Sequence, residues 1–177
     1  PGSPAVAHAL LRPGDALTLM ELHPAEHAAL VATMAGAAAS GPDIAIHKRD
    51  GREGLRALTP PEPRRGLALI DPSYEVKGEY LDTAMLALET WGRWPEGVIM
   101  VWYPILPDAR HAALVGPVEA VSGSALLRDE VLFDEPPERG MIGSGLLILN
   151  APYGAAQAIH TAHRVCEGAL SPAAAMA

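Results

Sequence analysis

The sequence predicts an α/β fold, one domain built on a largely parallel sheet that closes with an antiparallel hairpin. Short apolar runs alternate with longer amphipathic ones along the 177 residues, the pattern of strands joined by covering helices. The apolar fraction of 49% is ample for one core. The last two apolar runs are joined by the acidic, proline-rich stretch Asp134-Glu135-Pro136-Pro137-Glu138, which suits a hairpin better than a helical crossover. No period of about 20–50 residues repeats, which argues against a solenoid.

The elements follow in order. Ser3-Pro4 reads as N-cap and first helical residue of a helix to Arg12, ended by Pro13-Gly14-Asp15. Ala16 to Leu22 is a buried strand, and His23-Pro24 opens a helix to Ala39. After the turn Ser40-Gly41-Pro42-Asp43, Ile44 to Lys48 is a short strand. Asp50-Gly51-Arg52-Glu53 has the spacing of a capping box for a helix to Leu58. Thr59 to Pro63 is a proline-rich loop, and Gly66 to Ile70 the central strand. A helix over Lys77–Trp91, a buried strand over Gly97–Tyr103 and a helix over Pro107–Val115 come next. Ala125–Phe133 and Ser144–Asn150 form the closing hairpin, and a helix over Gly154–Gly168 leads into an Ala-rich tail.

A net charge of −8 argues against a chain that coats nucleic acid without selectivity. The charge is uneven, however. Lys48, Arg49, Arg52, Arg56, Arg64 and Arg65 are six of the thirteen basic residues and lie close together in sequence. That cluster suits either recognition of one nucleic-acid site or a solvated loop and helix face. The single cysteine, Cys166, can form no internal disulfide, which fits a reducing cytoplasm. No apolar run approaches the roughly 18 residues of a membrane span. The start, Pro1-Gly2-Ser3-Pro4, carries neither Met nor a signal-peptide pattern.

The chemistry concentrates at Asp71-Pro72-Ser73-Tyr74, directly after the apolar run Gly66–Ile70. An amine conjugated to an aromatic ring is a poor nucleophile because its lone pair is delocalised. The Asp71 carboxylate and the Pro72 carbonyl can both accept hydrogen bonds from one such NH2 group, drawing it toward tetrahedral geometry and aiming its lone pair. Asp71 can also take up the released proton, directly or through water. Proline has no N–H of its own and a fixed φ, so it holds the turn in shape. Tyr74 can stack on the ring bearing the amine, a contact worth roughly 1–3 kcal/mol for an unstacked base. The plainer alternatives are a carboxylate that caps the turn and a half-buried loop tyrosine.

These residues, with Pro1-Gly2-Ser3-Pro4, Glu21-Leu22-His23-Pro24, Asp50-Gly51, Arg65-Gly66, Trp102-Tyr103-Pro104, Arg139-Gly140-Met141 and Ser144-Gly145, resemble the bacterial 23S ribosomal RNA adenine-N6 methyltransferases of the J type. They occur in the family's order over nearly the whole chain. The resemblance implies a Rossmann-like class I methyltransferase sheet, mostly parallel with the closing antiparallel hairpin, S-adenosyl-L-methionine as cofactor and 23S ribosomal RNA as substrate. It assigns Asp71, Pro72 and Tyr74 to catalysis, and Ser3, Glu21, Asp50, Gly51 and Asp71 to the cofactor. Glu21, at the tip of what would be the second strand of a dinucleotide-type sheet, would hold the ribose hydroxyls; alternatively it supplies negative charge to the helix beginning at Pro24. Asp50 can equally be a helix cap, and Ser3 is assigned by resemblance alone.

Two departures stand out. Ser73 replaces the second proline of the family's Asp-Pro-Pro-Tyr. The amino-terminal third of the pattern, with the first strand and its Gly-rich cofactor loop, has no counterpart here. In such a sheet that strand lies between the one ending at Glu21 and the one ending at Ile70, so its absence would leave two unpaired edges and weaken cofactor binding by this chain alone. Two rival functions stay open: a truncated, non-catalytic interaction domain, and a DNA adenine-N6 methyltransferase using the same pocket. Asn150-Ala151-Pro152-Tyr153 also follows an apolar strand, but Ala151 removes the rigid turn, leaving a strand end. His23 with His27, and His160 with His163, have spacings that can bind a metal on one helix face. No Cys or carboxylate cluster accompanies them, so no metal site is assigned. No Ser-His-Asp order, Walker loop or paired-cysteine motif is present.

Overall fold

The computed structural model describes residues 2–36, 41–76 and 78–170. By its internal contacts the chain divides into two compact units, Pro1–Leu58 and Thr59–Ala177. The fold is mixed α/β, with parallel and antiparallel strand pairs.

The first unit runs α1 (Ser3–Leu10), β1 (Ala16–Met20), α2 (Pro24–Met34), β2 (Asp43–His47) and α3 (Gly51–Leu58). β1 and β2 pair in parallel from Ala16↔Asp43 to Met20↔His47. The Glu21 N–H extends the ladder to the His47 carbonyl at 3.1 Å. Both α1 and α2 carry proline in the first turn, where a missing N–H costs nothing. Gly2, not Ser3, occupies the N-cap of α1, in extended geometry, and Ser3 is already helical. α2 ends at Met34, and the rest of its expected length, residues 37–39, lies outside the described residues. Asp50 caps α3: its Oδ1 accepts the Arg52 and Glu53 amides at 2.7 and 3.2 Å. Gly54 is buried, and a Cβ there would run into the Met20 thioether, so α3 packs close to the end of β1.

The second unit runs β3 (Leu67–Ile70), α4 (Glu79–Arg93), β4 (Val98–Ile105), α5 (Ala112–Ser122), a short 3-10 turn, β5 (Leu126–Leu132), β6 (Gly143–Leu149) and α6 (Ala155–Leu170). The sheet order is β3-β4-β6-β5. β3 is parallel to β4, whereas β6 is antiparallel to both β4 and β5, so the closing hairpin forms as the sequence predicts. β4 alternates strictly between half-buried and buried residues. Its buried set, Ile99, Val101, Tyr103 and Ile105, shares the core with Leu147 and Leu149 of β6, Tyr80, Ala84 and Ala87 of α4, and Leu114 and Val118 of α5. Gly145 lies opposite Tyr103, and any Cβ there would collide with the tyrosine ring.

The one clear displacement is α5, expected over Pro107–Val115 but observed over Ala112–Ser122. The Ala109 N–H closes a turn on the Leu106 carbonyl at 3.0 Å, with Ala109 at φ 54°. A left-handed residue ends any helical start at Pro107. Pro117 is accommodated inside the helix. The loop before β3 is anchored by Trp94, 2% exposed, whose indole N–H donates to the Arg64 carbonyl at 3.2 Å. Arg64 in turn pairs with Glu96 at 2.9 Å, so this member of the basic cluster serves the fold.

Candidate functional site

Asp71 follows Ile70, the last residue of β3, and so stands at the carboxy-terminal end of a parallel strand, the end where α/β sheets bind ligands. Among the described residues no hydrogen bond reaches its carboxylate or the Pro72 carbonyl. Although Asp71 is exposed by area, the surrounding protein desolvates its carboxyl enough to push it above the usual aspartate value. The chain then turns sharply, with Tyr74 at φ 55°, a left-handed conformation uncommon for an aromatic residue. That turn drives the Tyr74 ring inward.

Tyr74 is therefore 6% exposed. Its ring lies 4.5 Å from that of Tyr80, centroid to centroid, and 6.5 Å from that of Trp102. Its hydroxyl donates to the Trp102 carbonyl at 2.7 Å. Burial pushes this phenol above its ordinary range; a hydrogen bond from Thr83 works the other way, and the Asp71 charge adds to the rise. Sequence reasoning offered the Tyr74 face to a base; in this conformation that face is occupied by Tyr80. Sequence reasoning did not single out the groups that hold the loop. They are Tyr80 and Thr83 on α4, the Trp102 carbonyl on β4, and Glu79, whose Oε2 faces the Ser73 hydroxyl at 3.5 Å and the Val76 amide at 3.3 Å. The available signal was an acid followed by aromatic and small apolar residues at the head of a strongly amphipathic helix.

The residues assigned to the cofactor by resemblance lie in the first unit. Glu21 and Asp50 both follow the carboxy-terminal ends of β1 and β2, which are paired in parallel. Both are half-buried. The His23 N–H donates to Glu21 Oε1 at 2.7 Å, so one oxygen of Glu21 holds the entry to α2. Asp50 likewise uses one oxygen as a cap, as described above. Gly51 opens α3 with nothing within 4 Å of where a Cβ would stand. Ser3 is exposed at the start of α1.

Two further candidates, Asn150 and His163, make fold contacts. The Asn150 amide donates to the Pro95 and Gly97 carbonyls at 3.1 and 3.4 Å, at the end of β4 remote from Asp71. His163 pairs with Asp129 at 3.1 Å, tying α6 to β5. Among the described residues no group of three His, Cys, Asp or Glu could hold a metal ion, and no helix is long and apolar enough to cross a membrane. The Cys166 side chain lies outside the described set.

The chain is similar to ribosomal RNA large subunit methyltransferase J of Escherichia coli (strain K12), with 34% identity over 154 residues, 86% of this chain and 54% of that protein. The protein of the same description from Haemophilus influenzae is 32% identical over 86% of this chain and 53% of its own length. The chain thus spans about half the length of the curated relatives it matches. The crystal structure of protein LPL1258 from Legionella pneumophila str. Philadelphia 1 matches with a TM-score of 0.78 at 35% identity, covering 87% of this chain and 56% of that one. A family pattern described as ribosomal RNA large subunit methyltransferase D, RlmJ, matches residues 1–176.

Proposed function

Because the chain belongs to the ribosomal RNA large subunit methyltransferase D, RlmJ, family, we propose that it serves N6-methylation of an adenine in 23S ribosomal RNA. The observation that carries this reading is a pair of hydrogen-bond acceptors, the Asp71 carboxylate and the Pro72 carbonyl, unclaimed among the described residues at the end of β3. Two acceptors on consecutive residues match in number the two N–H bonds of an exocyclic amine. The raised affinity of Asp71 for a proton suits a group that must collect one as the amine loses it. S-adenosyl-L-methionine, when bound, supplies the electrophilic methyl group.

The Rossmann-like class I reading of the fold is part of this proposal. It is supported by the order β3-β4-β6-β5, two parallel strands followed by an antiparallel pair. Each of Glu21 and Asp50 keeps a second carboxylate oxygen beyond the one used in its cap. Those oxygens fit ribose hydroxyls and an adenine amine, while Gly51 leaves open space beside Asp50. Ser3 would join them at the start of α1. Tyr74 would stack on the target adenine once its ring turns out from Tyr80. Work on ribosomal RNA would place the protein in the cytoplasm.

The test is methyl transfer from labelled S-adenosylmethionine to 23S ribosomal RNA by the full-length protein, with DNA carrying the same sequence as competitor. Asp71→Ala is expected to lower kcat by about a hundredfold or more. Preference for the DNA would instead favour the DNA adenine enzyme.

A further inference from the structure

We infer that Glu79, at the head of α4, is a positioning residue for the Asp71 loop, acting as a hydrogen-bond acceptor rather than as a helix-end charge. The inference rests on the proposed methyl transfer for its kinetic consequence, but not for its structural one. The loop of residues 71–76 leaves β3 with no backbone ladder to guide it. Its visible anchors are few. The Tyr74 hydroxyl is held on the Trp102 carbonyl. The Ser73 hydroxyl and the Val76 amide both turn toward the same oxygen of Glu79, and the Glu79 N–H returns to the Val76 carbonyl at 3.0 Å. The pair Val76–Glu79 is thus reciprocal, in the manner of a capping box. The next residue, Tyr80, supplies the ring beneath Tyr74.

The consequence is geometric. Ser73 sits between Pro72 and Tyr74, so a carboxylate facing its hydroxyl at 3.5 Å restrains the turn that carries the Pro72 carbonyl. Asp71 is two residues away on the same turn. Serine is freer in φ than a ring-closed residue, so this loop needs an external restraint on that position, and the Glu79 oxygen is the one the structure provides. Both contacts are long: 3.3 Å for the Val76 N–H, against a usual range of about 2.7–3.2 Å, and 3.5 Å for the Ser73 hydroxyl, against a usual range of about 2.5–3.0 Å, so the restraint rests on the two acting together with the Glu79 N–H to Val76 carbonyl bond.

A plain helix-end role makes a different prediction. An acid in the first turn of α4 is favoured by the helix dipole, and that benefit disappears when the charge does. An acceptor role survives loss of charge, because glutamine keeps a carbonyl oxygen at the same reach. Glu79→Ala, Glu79→Gln and Ser73→Ala should therefore be compared by hydrogen exchange over residues 71–76 and by methyl-transfer kinetics. Glu79→Ala is expected to speed exchange of the loop and to lower kcat by about tenfold or more, with KM for S-adenosylmethionine unchanged. Glu79→Gln is expected to stay within about threefold of the parent in both, and Ser73→Ala to fall between. Unchanged loop exchange in Glu79→Ala would overturn the inference, and so would Glu79→Gln behaving like Glu79→Ala. Should the parent protein transfer no methyl group, the proposed function falls, and the exchange data alone decide the role of Glu79.

Discussion

Asp71 pays for its availability in folding stability. Its folded-state affinity for a proton is raised by burial, so the ionised form is disfavoured on folding. The cost is present at neutral pH and vanishes as pH falls below the unfolded value. Asp71→Asn should therefore raise the melting temperature at pH 7 while removing methyl transfer; a lower melting temperature would mean that the carboxylate holds up the fold. Glu130 shows the opposite sign. Burial alone would push it up, but hydrogen bonds from Tyr103 and Arg128 outweigh that and hold it below the usual 4.5. Its stabilisation is complete above that value and is lost as pH falls through the lower folded one. The Tyr103 hydroxyl donates to Glu130 at 2.8 Å. Tyr103→Phe should cost about 1–3 kcal/mol at pH 7 in urea denaturation, with the deficit shrinking as the solution is made acid enough to protonate Glu130.

At the scale of elements, packing of the second unit turns on one missing side chain. Gly145 of β6 faces the Tyr103 ring of β4, a rigid neighbour that cannot swing aside. Gly145→Ala should destabilise the unit by about 1–3 kcal/mol, measured by the same denaturation. Among the described residues β3 has only β4 as a ladder partner, and Leu67 and Leu69 are 55% and 42% exposed. Its amides should exchange faster than those of β4 and β6, which are paired more extensively; equal protection would show that the edge is covered. Strand positions were legible in the sequence to within a residue or two, because short apolar runs bounded by Gly and Pro mark them directly, as in Leu67–Ile70 and Val98–Ile105. The start of α5 was not, because Pro107 looks like a helix opening and nothing local announces that Ala109 turns left-handed. The same physics hid the burial of Tyr74. Composition identifies an aromatic residue after a strand, but which way a left-handed residue throws its ring depends on Tyr80 and Trp102, distant neighbours in sequence.

For the whole molecule, the acidic balance and the site agree. A chain of net charge −8 does not hold nucleic acid by charge alone, so under the proposed function recognition would come from defined contacts and from a pocket that selects one base. The acceptor pair of Asp71 and Pro72 was legible in the sequence because it directly follows the apolar run of β3, which was expected to be the central strand and stands at the edge of the described four-stranded sheet. The structure shows the cap contacts of Glu21 and Asp50; the cofactor role proposed for them was legible only as an alternative, since a cap and a ligand contact ask for the same residue type at the same strand end. The central claim is that Asp71 directs a methyl group onto an adenine amino group. The most direct measurement is mass-spectrometric mapping of methylated nucleosides in 23S ribosomal RNA after incubation with the full-length protein and S-adenosylmethionine, beside the Asp71→Ala variant. The account predicts N6-methyladenosine with the parent protein and its loss with the variant. Methylation at another atom, or N6-methyladenosine undiminished by Asp71→Ala, would contradict it.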